Sequence, residues 1–273
     1  MALDGKKEDL LGHYTVNKLS PFRRITIDSL DVLTPVHNML ALLEVDITEA
    51  REKIRKGIRE GKPLSLQAFI IKSIASAVEA NKEMNSFLLK NRIYTFDDVD
   101  INIPLELNRQ GEMFPGQVVI RRASEKSVED IYREIEEAKH RFTRQAVTGT
   151  EDEWALRLMK LLFIFPAFFR KLILRKIINN PRLVKEKHGT IHFTSVAGFG
   201  QTPGFVVPCI GSFRAVDFTL GSIVKKPMKV GGDITLREVL TMTVMFNHDI
   251  VDGAPAARFT NRLRSIFEKA EEM

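Results

Sequence analysis

The sequence predicts a mixed α/β fold, in which helices pack against a β-sheet. Some segments alternate apolar residues with other residues, which is typical of strands. Other segments repeat apolar residues every three or four positions, as amphipathic helices do. Both kinds of segment follow one another along the 273 residues without a linker-like stretch. We therefore predict one domain over residues 1–273, with residues 1–19 as an N-terminal arm.

The first half of the chain has the signals of two strands and three helices. Alternating residues predict strands over 37–45 and 99–105. Each predicted helix starts with a polar residue that can cap its N-terminus, followed by apolar residues at helical spacing. These polar residues are Asp46, Ser65 and Ser127.

The second half is richer in strands and ends in a helix. Alternation predicts three strands, over 190–196, 213–220 and 241–246. The last of them leads to His248, which stands four residues before Asp252-Gly253, where the C-terminal helix is predicted to start. A histidine beside a carboxylate at such a junction is suited to act as a general base near pH 7. A strand-end histidine without a catalytic role is the simpler alternative.

Composition excludes several classes of function. The 41 basic residues are scattered among 35 acidic ones, so the net charge of +6 does not indicate a nucleic-acid surface and fits an anionic ligand or an acidic partner better. One cysteine, Cys209, and no signal-peptide pattern predict a cytoplasmic protein. His188 and His192 would lie about 13 Å apart on one strand, so no metal site is predicted.

Five sequence motifs are spread along the chain. They are Ser20-Pro-Phe-Arg-Arg24, Pro35-Val-His37 with Glu44-Val-Asp-Ile-Thr48, Val119-Ile-Arg-Arg-Ala-Ser-Glu-Lys-Ser127, Gly189-Thr-Ile-His-Phe-Thr-Ser195 with Gly198-Phe-Gly200, and His248-Asp-Ile-Val-Asp-Gly253. Together they resemble the acyltransferase catalytic domain of 2-oxoacid dehydrogenase complexes, which shares its fold with chloramphenicol acetyltransferase.

The resemblance implies a fold and an activity. The implied fold is a mixed sheet flanked by helices, with the active site at a trimer interface. The implied reaction moves an acyl group directly between coenzyme A and a thiol acceptor such as dihydrolipoamide, with His248 as the general base. Coenzyme A would then be a substrate rather than a bound cofactor, and a lipoyl group could be carried by a separate protein.

The resemblance also implies roles for further residues. Asp252 would hold the active-site loop through an ion pair with Arg23 or Arg24, and Asn247 and Gly253 flank this motif. Alignment places Thr194 on the family's oxyanion-stabilising serine. Ser195 is the alternative, since adjacent strand residues face opposite sides of a sheet. Asp249 stands where the family commonly has arginine, so it could raise the pKa of the base, alter acceptor choice or be paired at a subunit contact.

Residues 143–187 depart from the family pattern and are predicted to be a helical insertion. Three roles are open for it: ordinary core or subunit contact, a lid over an apolar acyl or acceptor group, or, least favoured, contact with a membrane surface. No Pro/Ala-rich hinge or lipoyl-type module precedes residue 20. The chain is therefore expected to be a free-standing form, without lipoyl or peripheral-subunit-binding domains.

Two alternatives to the acyltransferase hypothesis are kept. One is an acetyltransferase of the chloramphenicol acetyltransferase kind, acting on the hydroxyl or amine of a small molecule. The other is a catalytically silent trimeric scaffold that binds a dehydrogenase partner. Retention of both His248 and Asp252 favours an enzyme over a scaffold.

Overall fold

The computed structural model of the protein describes residues 19, 21–33, 37–109, 112–148, 165–196, 203–208 and 212–273. Its helices are α1 (Pro21–Leu33), α2 (Thr48–Arg59), α3 (Leu66–Glu79), α4 (Val128–Thr148), α5 (Ala167–Ile178), α6 (Pro181–His188) and α7 (Gly253–Lys269). Its strands are β1 (Asn38–Asp46), β2 (Ser86–Leu89), β3 (Arg92–Thr95), β4 (Ile101–Arg109), β5 (Glu112–Ile120), β6 (Ile191–Ser195), β7 (Val216–Val230) and β8 (Asp233–Asn247).

Six of these strands form one mixed sheet in the order β1-β8-β7-β6-β4-β5. The short strand β6 is parallel to both of its neighbours, whereas the other pairs are antiparallel. Strands β2 and β3 form a separate two-stranded sheet. The predicted mixed α/β fold, with a mixed sheet and flanking helices, is confirmed.

Two of the three predicted helix starts have the expected side-chain cap. The hydroxyls of Ser65 and Ser127 accept the N–H groups of Ala68 and Asp130, each at 3.1 Å. The third prediction was displaced, because α2 begins at Thr48 rather than directly after Asp46. The Asp46 carboxylate instead accepts both the N–H and the hydroxyl of Thr48.

Strands β7 and β8 are much longer than the alternation predicted. Each has 15 residues, and Gly231 and Gly232 join them with φ angles of +62° and +106°. Their outer halves are largely exposed, as the 78% exposure of Ile234 shows. The residues of these halves are exposed or half-buried, and antiparallel pairing holds them in the hairpin.

The apolar core lies on one face of the large sheet, beneath α2, α3, α4 and α7. Phe259 of α7 packs against Phe218 of β7 and Phe246 of β8, with ring centroids 6.2 and 5.9 Å apart. Phe69 of α3 packs edge-on against Phe267 of α7 at 5.8 Å. Burying an aromatic side chain of this size contributes about 1.5–3 kcal/mol to folding, so this face stabilises the sheet on which the site residues lie.

Candidate active site

Buried Asn247, the last residue of β8, holds the turn that carries His248. Its side-chain amide donates to the carbonyl of Ser212 at 3.0 Å, and its side-chain oxygen accepts the N–H of Asp249 at 3.0 Å. The His248 N–H donates to the His37 carbonyl at 2.7 Å, which ties the turn to the start of β1. The backbone of the predicted base is therefore fixed, while its side chain is 47% exposed.

Asp252 lies beside His248 at the N-terminus of α7. One carboxylate oxygen is 3.9 Å from Nδ1 of His248, which is too long for a hydrogen bond, and the Asp252 side chain is 88% exposed. Arg23 and Arg24 are exposed on α1. The ion pair of Asp252 with either arginine stays a prediction. Gly253 is the first residue of α7, and a Cβ there would meet nothing within 4 Å.

Asp249 pairs with His37 across the turn. One carboxylate oxygen of Asp249 lies 2.8 Å from Nδ1 of His37, and both residues are accessible to solvent. The pair joins the motif around residue 37 to the motif at residue 248. Of the three roles considered for Asp249, pairing is the one that the described residues support, and the partner lies within the same subunit.

Thr194 and Ser195 lie on opposite faces of β6. Thr194 pairs with Thr219 of β7, and both line a cavity on the face away from the core. Ser195 pairs with Leu220, which belongs to the hydrophobic core. Since side chains on one strand alternate between faces, the cavity-facing hydroxyl at the end of β6 is that of Thr194.

The cavity has a volume of about 420 Å³ and two chemically different walls. Its floor is the sheet, which contributes mainly polar side chains: Asn102, His192, Thr194, Asp217 and Thr219. Its roof comes from α1, α5 and α6 and is apolar: Leu33, Leu174, Ile177, Ile178 and Val184. His248 is not among the described residues that line this cavity, although Met245, three residues earlier on β8, is.

Helix α5, from the predicted insertion, is fastened to α1 by two ion pairs. Nε of Arg170 lies 2.7 Å from a carboxylate oxygen of Asp28, and both side chains are largely buried. Nζ of Lys171 lies 2.6 Å from a carboxylate oxygen of Asp31. Leu174, Ile177 and Ile178 of this helix line the cavity, so the described part of the insertion covers it, and its role stays a prediction.

His188 and His192 both line the cavity, which corrects the expectation that they share one strand. His188 is the last residue of α6, whereas His192 lies on β6. Burial lowers the pKa of both side chains, and the Arg214 guanidinium lowers them further. The pKa of His192 falls to about 4, so its ring is neutral at neutral pH.

Arg214 and Asp217 are the charged residues of the cavity wall, and sequence reasoning did not single them out. The Arg214 guanidinium donates to the hydroxyl of Ser212 and to the carbonyl of His188. Burial raises the pKa of Asp217, although the charge of Arg214 opposes this shift. Polar residues at alternate positions in otherwise apolar strands, such as Asp217 and Thr219, were the available signal.

Several predicted features lie outside the described residues. They are residues 1–18 of the N-terminal arm, Ser20, Pro35-Val36, Gly198-Phe-Gly200 and Cys209. Within the described ranges, no group of three His, Cys, Asp or Glu residues could hold a metal ion. None of the described helices is long and apolar enough to cross a membrane.

A comparison with known families matches most of the chain. Residues 12–152 and 182–273 match the family described as 2-oxoacid dehydrogenases acyltransferase (catalytic domain). The chain therefore belongs to this family. Between the two matched segments, residues 153–181 are unmatched, and they lie within the stretch predicted to be an insertion.

Individual relatives are distant in sequence. The lipoamide acyltransferase component of the branched-chain alpha-keto acid dehydrogenase complex of Bacillus subtilis is 24% identical over 247 residues, which cover 88% of this chain and 48% of that protein. The chain thus spans about half the length of this relative.

Solved structures share the fold at lower identity. The cubic core of a pyruvate dehydrogenase multienzyme complex superposes with a TM-score of 0.68 at 16% identity, covering 99% of this chain and 97% of that one. Dihydrolipoamide acetyltransferase (E2p) of Azotobacter vinelandii gives 0.68 at 17% identity, again covering 99% and 97%.

Proposed function

We propose that this protein is an acyltransferase that moves an acyl group between coenzyme A and a thiol acceptor such as dihydrolipoamide. The observation that carries the proposal is the turn at His248. Its backbone is fixed by Asn247 and His37, and its imidazole remains accessible. Family membership supports the same chemistry. The Bacillus subtilis relative is named as a lipoamide acyltransferase. We extend that activity to this chain only as a proposal, because the chain spans about half of that protein.

In the proposed reaction, His248 removes the proton of the attacking thiol. A free thiol has a pKa near 8.5 and is mostly protonated at pH 7, so a base is needed. The sulfur attacks the thioester carbonyl, a new C–S bond forms, and the oxyanion accepts a hydrogen bond from Thr194. Collapse of this intermediate breaks the original C–S bond, and the leaving thiolate takes the proton back from His248.

Assembly of several subunits is part of the proposal. His248 follows the end of β8, whereas Thr194 lines the cavity beneath α1 and α5. A homotrimer, or a multiple of it, would bring His248 of one subunit to Thr194 of another, as the family resemblance implies. Exposed Leu40 and Leu42 on the edge strand β1 offer apolar surface for such a contact.

Thr194 and Asp252 are the other two residues of the proposed site. Work on the Azotobacter vinelandii enzyme concerns the role of a serine, a histidine and an asparagine in its catalytic mechanism. We infer that Thr194, His248 and Asp252 are their counterparts here. Ser195 faces the core side of β6, so it is the weaker candidate for the oxyanion donor.

The testing experiment measures release of the coenzyme A thiol from acyl-CoA donors, with dihydrolipoamide as acceptor. We expect His248→Ala to lower kcat by roughly 10²- to 10⁴-fold and Thr194→Val by roughly 10²- to 10³-fold. Ser195→Ala is the matched control and should lose much less. Histidine-independent turnover would contradict the mechanism.

Two further outcomes distinguish the alternatives. Saturable coenzyme A binding without turnover would point to another acceptor, including a small hydroxyl or amine compound. Absence of coenzyme A binding would favour a scaffold that binds a dehydrogenase or a lipoyl carrier protein. We place the reaction in the cytoplasm on the strength of the single cysteine.

A further inference from the structure

A chain of hydrogen bonds orients the side chains on the cavity floor. The Gln117 amide nitrogen donates to the Lys187 carbonyl at 3.1 Å. Because a carbonyl only accepts, the Gln117 side-chain oxygen must face the other way, toward His188 and Asn102, at 3.1 and 3.4 Å. This oxygen also only accepts, so Asn102 presents its NH₂ group.

The same chain fixes the proton of His192. The Asn102 NH₂ group lies 3.4 Å from Nδ1 of His192 and can only donate to it. Nδ1 is therefore the unprotonated nitrogen of a neutral ring, and Nε2 carries the hydrogen. No described residue accepts the hydrogen on Nε2, and His192 lines the cavity. His192 is thus a neutral hydrogen-bond donor, held in one tautomer two residues before Thr194.

Two nearby residues each have a buried polar atom without a hydrogen-bond partner among the described residues. They are Nε of Arg214 and the side-chain oxygen of Asn102. Both residues line the cavity, with 8% and 4% exposure. Such atoms are uncommon in folded proteins, since each costs free energy unless a ligand or water binds it. Because both atoms are themselves buried, they add to the polar character of the cavity floor but are not contact points for a substrate.

Charge decides against an anionic ligand. Arg214 and Asp217 are the residues of opposite formal charge among the described lining residues, and burial raises the pKa of Asp217 even though the charge of Arg214 opposes this shift. His188 and His192 add no charge at neutral pH because burial lowers the pKa of both. A second carboxylate in this cavity would meet the same cost of burial, and the charge of Arg214 is already shared with Asp217, so its binding is strongly unfavourable. An uncharged group meets no such cost.

The position of the cavity indicates which part of the substrates enters it. Under the proposed function, the thioester carbonyl lies at Thr194, where three chains meet. Two of them, the coenzyme A and lipoyl arms, continue for many atoms beyond the reacting sulfur. The acyl chain ends within a few atoms, and 420 Å³ beside Thr194 is enough for a short chain. The apolar roof suits its methylene groups.

We propose, on the basis of the proposed function, that this cavity is the acyl-chain subsite. It selects a short, uncharged acyl chain that carries an oxygen function, and His192 is the residue that binds this oxygen. An acyl chain that ends in a carboxylate is rejected because burial disfavours a second carboxylate beside Asp217, whose charge already opposes that of Arg214.

The test compares three acyl-CoA donors of similar length, with dihydrolipoamide as acceptor. Pentanoyl-CoA ends in a methyl group, 4-hydroxybutanoyl-CoA in a hydroxyl and succinyl-CoA in a carboxylate. We expect kcat/KM for the hydroxyl donor to exceed that for the methyl donor by roughly tenfold, the effect of one added hydrogen bond. We expect it to exceed that for the carboxylate donor by at least about a hundredfold.

Variants at His192 assign the preference to this residue. In His192→Leu, the ratio between the hydroxyl and methyl donors should fall to about one, whereas His192→Gln, which keeps an N–H donor, should restore most of it. His140→Leu, on the exposed surface of α4, is the control and should keep the wild-type ratio. Equal or better use of succinyl-CoA, or an unchanged ratio in His192→Leu, would overturn the inference.

Binding measurements distinguish failure of this inference from failure of the proposed function. Dissociation constants for the three acyl-CoA compounds, measured by calorimetry on His248→Ala, should follow the same order. If no donor is turned over but the order of binding holds, the subsite stands and the proposed reaction does not. If binding shows no preference for the hydroxyl compound, the inference fails whatever the turnover.

Discussion

The two faces of the central sheet share one backbone but differ in burial and in polarity. Phe193 and Thr194 are neighbours on β6, yet Phe193 is fully buried in the core, whereas Thr194 lines the cavity. The core face is closed by aromatic and aliphatic side chains. The opposite face has Asn102, His192 and Asp217 in one row across three strands. Strand alternation thus lets one short segment stabilise the fold and form the site independently.

The sharpest test of this division uses the two neighbours on β6. Phe193→Ala should lower the free energy of unfolding by about 3–5 kcal/mol, because it leaves a cavity in the core. Thr194→Val should change it much less, while turnover falls as proposed above. Urea unfolding of both variants, with activity measured on the folded protein, checks the pair. Equal losses of stability would mean that the cavity face stabilises the fold as much as the core face does.

The cavity face should also make stability depend on pH. The pKa of His192 is about 4 in the folded protein and 6.5 ordinarily, so the unfolded chain binds its proton first as the pH falls. The free energy of unfolding should therefore decrease from pH 6.5 to about pH 4, by about 3 kcal/mol at most. His188 acts in the same direction, and Asp217, whose pKa is raised, acts in the opposite one.

The variant His192→Gln isolates the contribution of this one residue. The difference between wild type and variant in the free energy of unfolding should change with pH between 4 and 6.5 and be constant above it. Chemical denaturation at several pH values measures this difference. A constant difference over the whole range would show that His192 titrates normally.

A glycine between α6 and β6 allows the chain to approach Asp100 closely. Gly189 has a φ angle of +60° and ψ of −172°, a region that other residues rarely adopt, and a Cβ there would lie 2.5 Å from the carbonyl oxygen of Asp100. We expect Gly189→Ala to lower the free energy of unfolding by about 2–3 kcal/mol. Gly231→Ala, also at positive φ but with nothing within 4 Å, should cost about 1–2 kcal/mol. Thermal unfolding of both variants tests the difference.

The smallest effect is expected at the edge of the sheet. Asp249→Asn removes the charge that pairs with His37, but both groups are accessible, so stability should change by less than about 1 kcal/mol. Asn247→Ala, next to it, should cost about 1–3 kcal/mol, because it leaves buried polar groups such as the Ser212 carbonyl unpaired. A larger loss from Asp249→Asn would show that the His37 pair holds the turn.

Much of the fold was predictable because its signals are local. The caps at Ser65 and Ser127 follow from residues close in the chain, as do the strands predicted over 99–105 and 190–196, which the structure places at Ile101–Arg109 and Ile191–Ser195. The outer half of the β7–β8 hairpin and the end of α6 at His188 were not predicted. Antiparallel pairing of β7 with β8 around the Gly231-Gly232 turn holds the first, and α6 ends where Gly189 adopts a positive φ angle.

The sequence by itself determined the family and the place of His248 at the end of a strand. It left two adjacent hydroxyls, Thr194 and Ser195, as alternatives, since they face opposite sides on any strand. Only the tertiary structure decided which hydroxyl faces the cavity, and that His192, Asn102, Gln117 and Arg214 lie around it. These residues come from four separate segments, and their charges and tautomers depend on burial and on mutual hydrogen bonds. Such properties arise when the segments pack together, so no local pattern contains them.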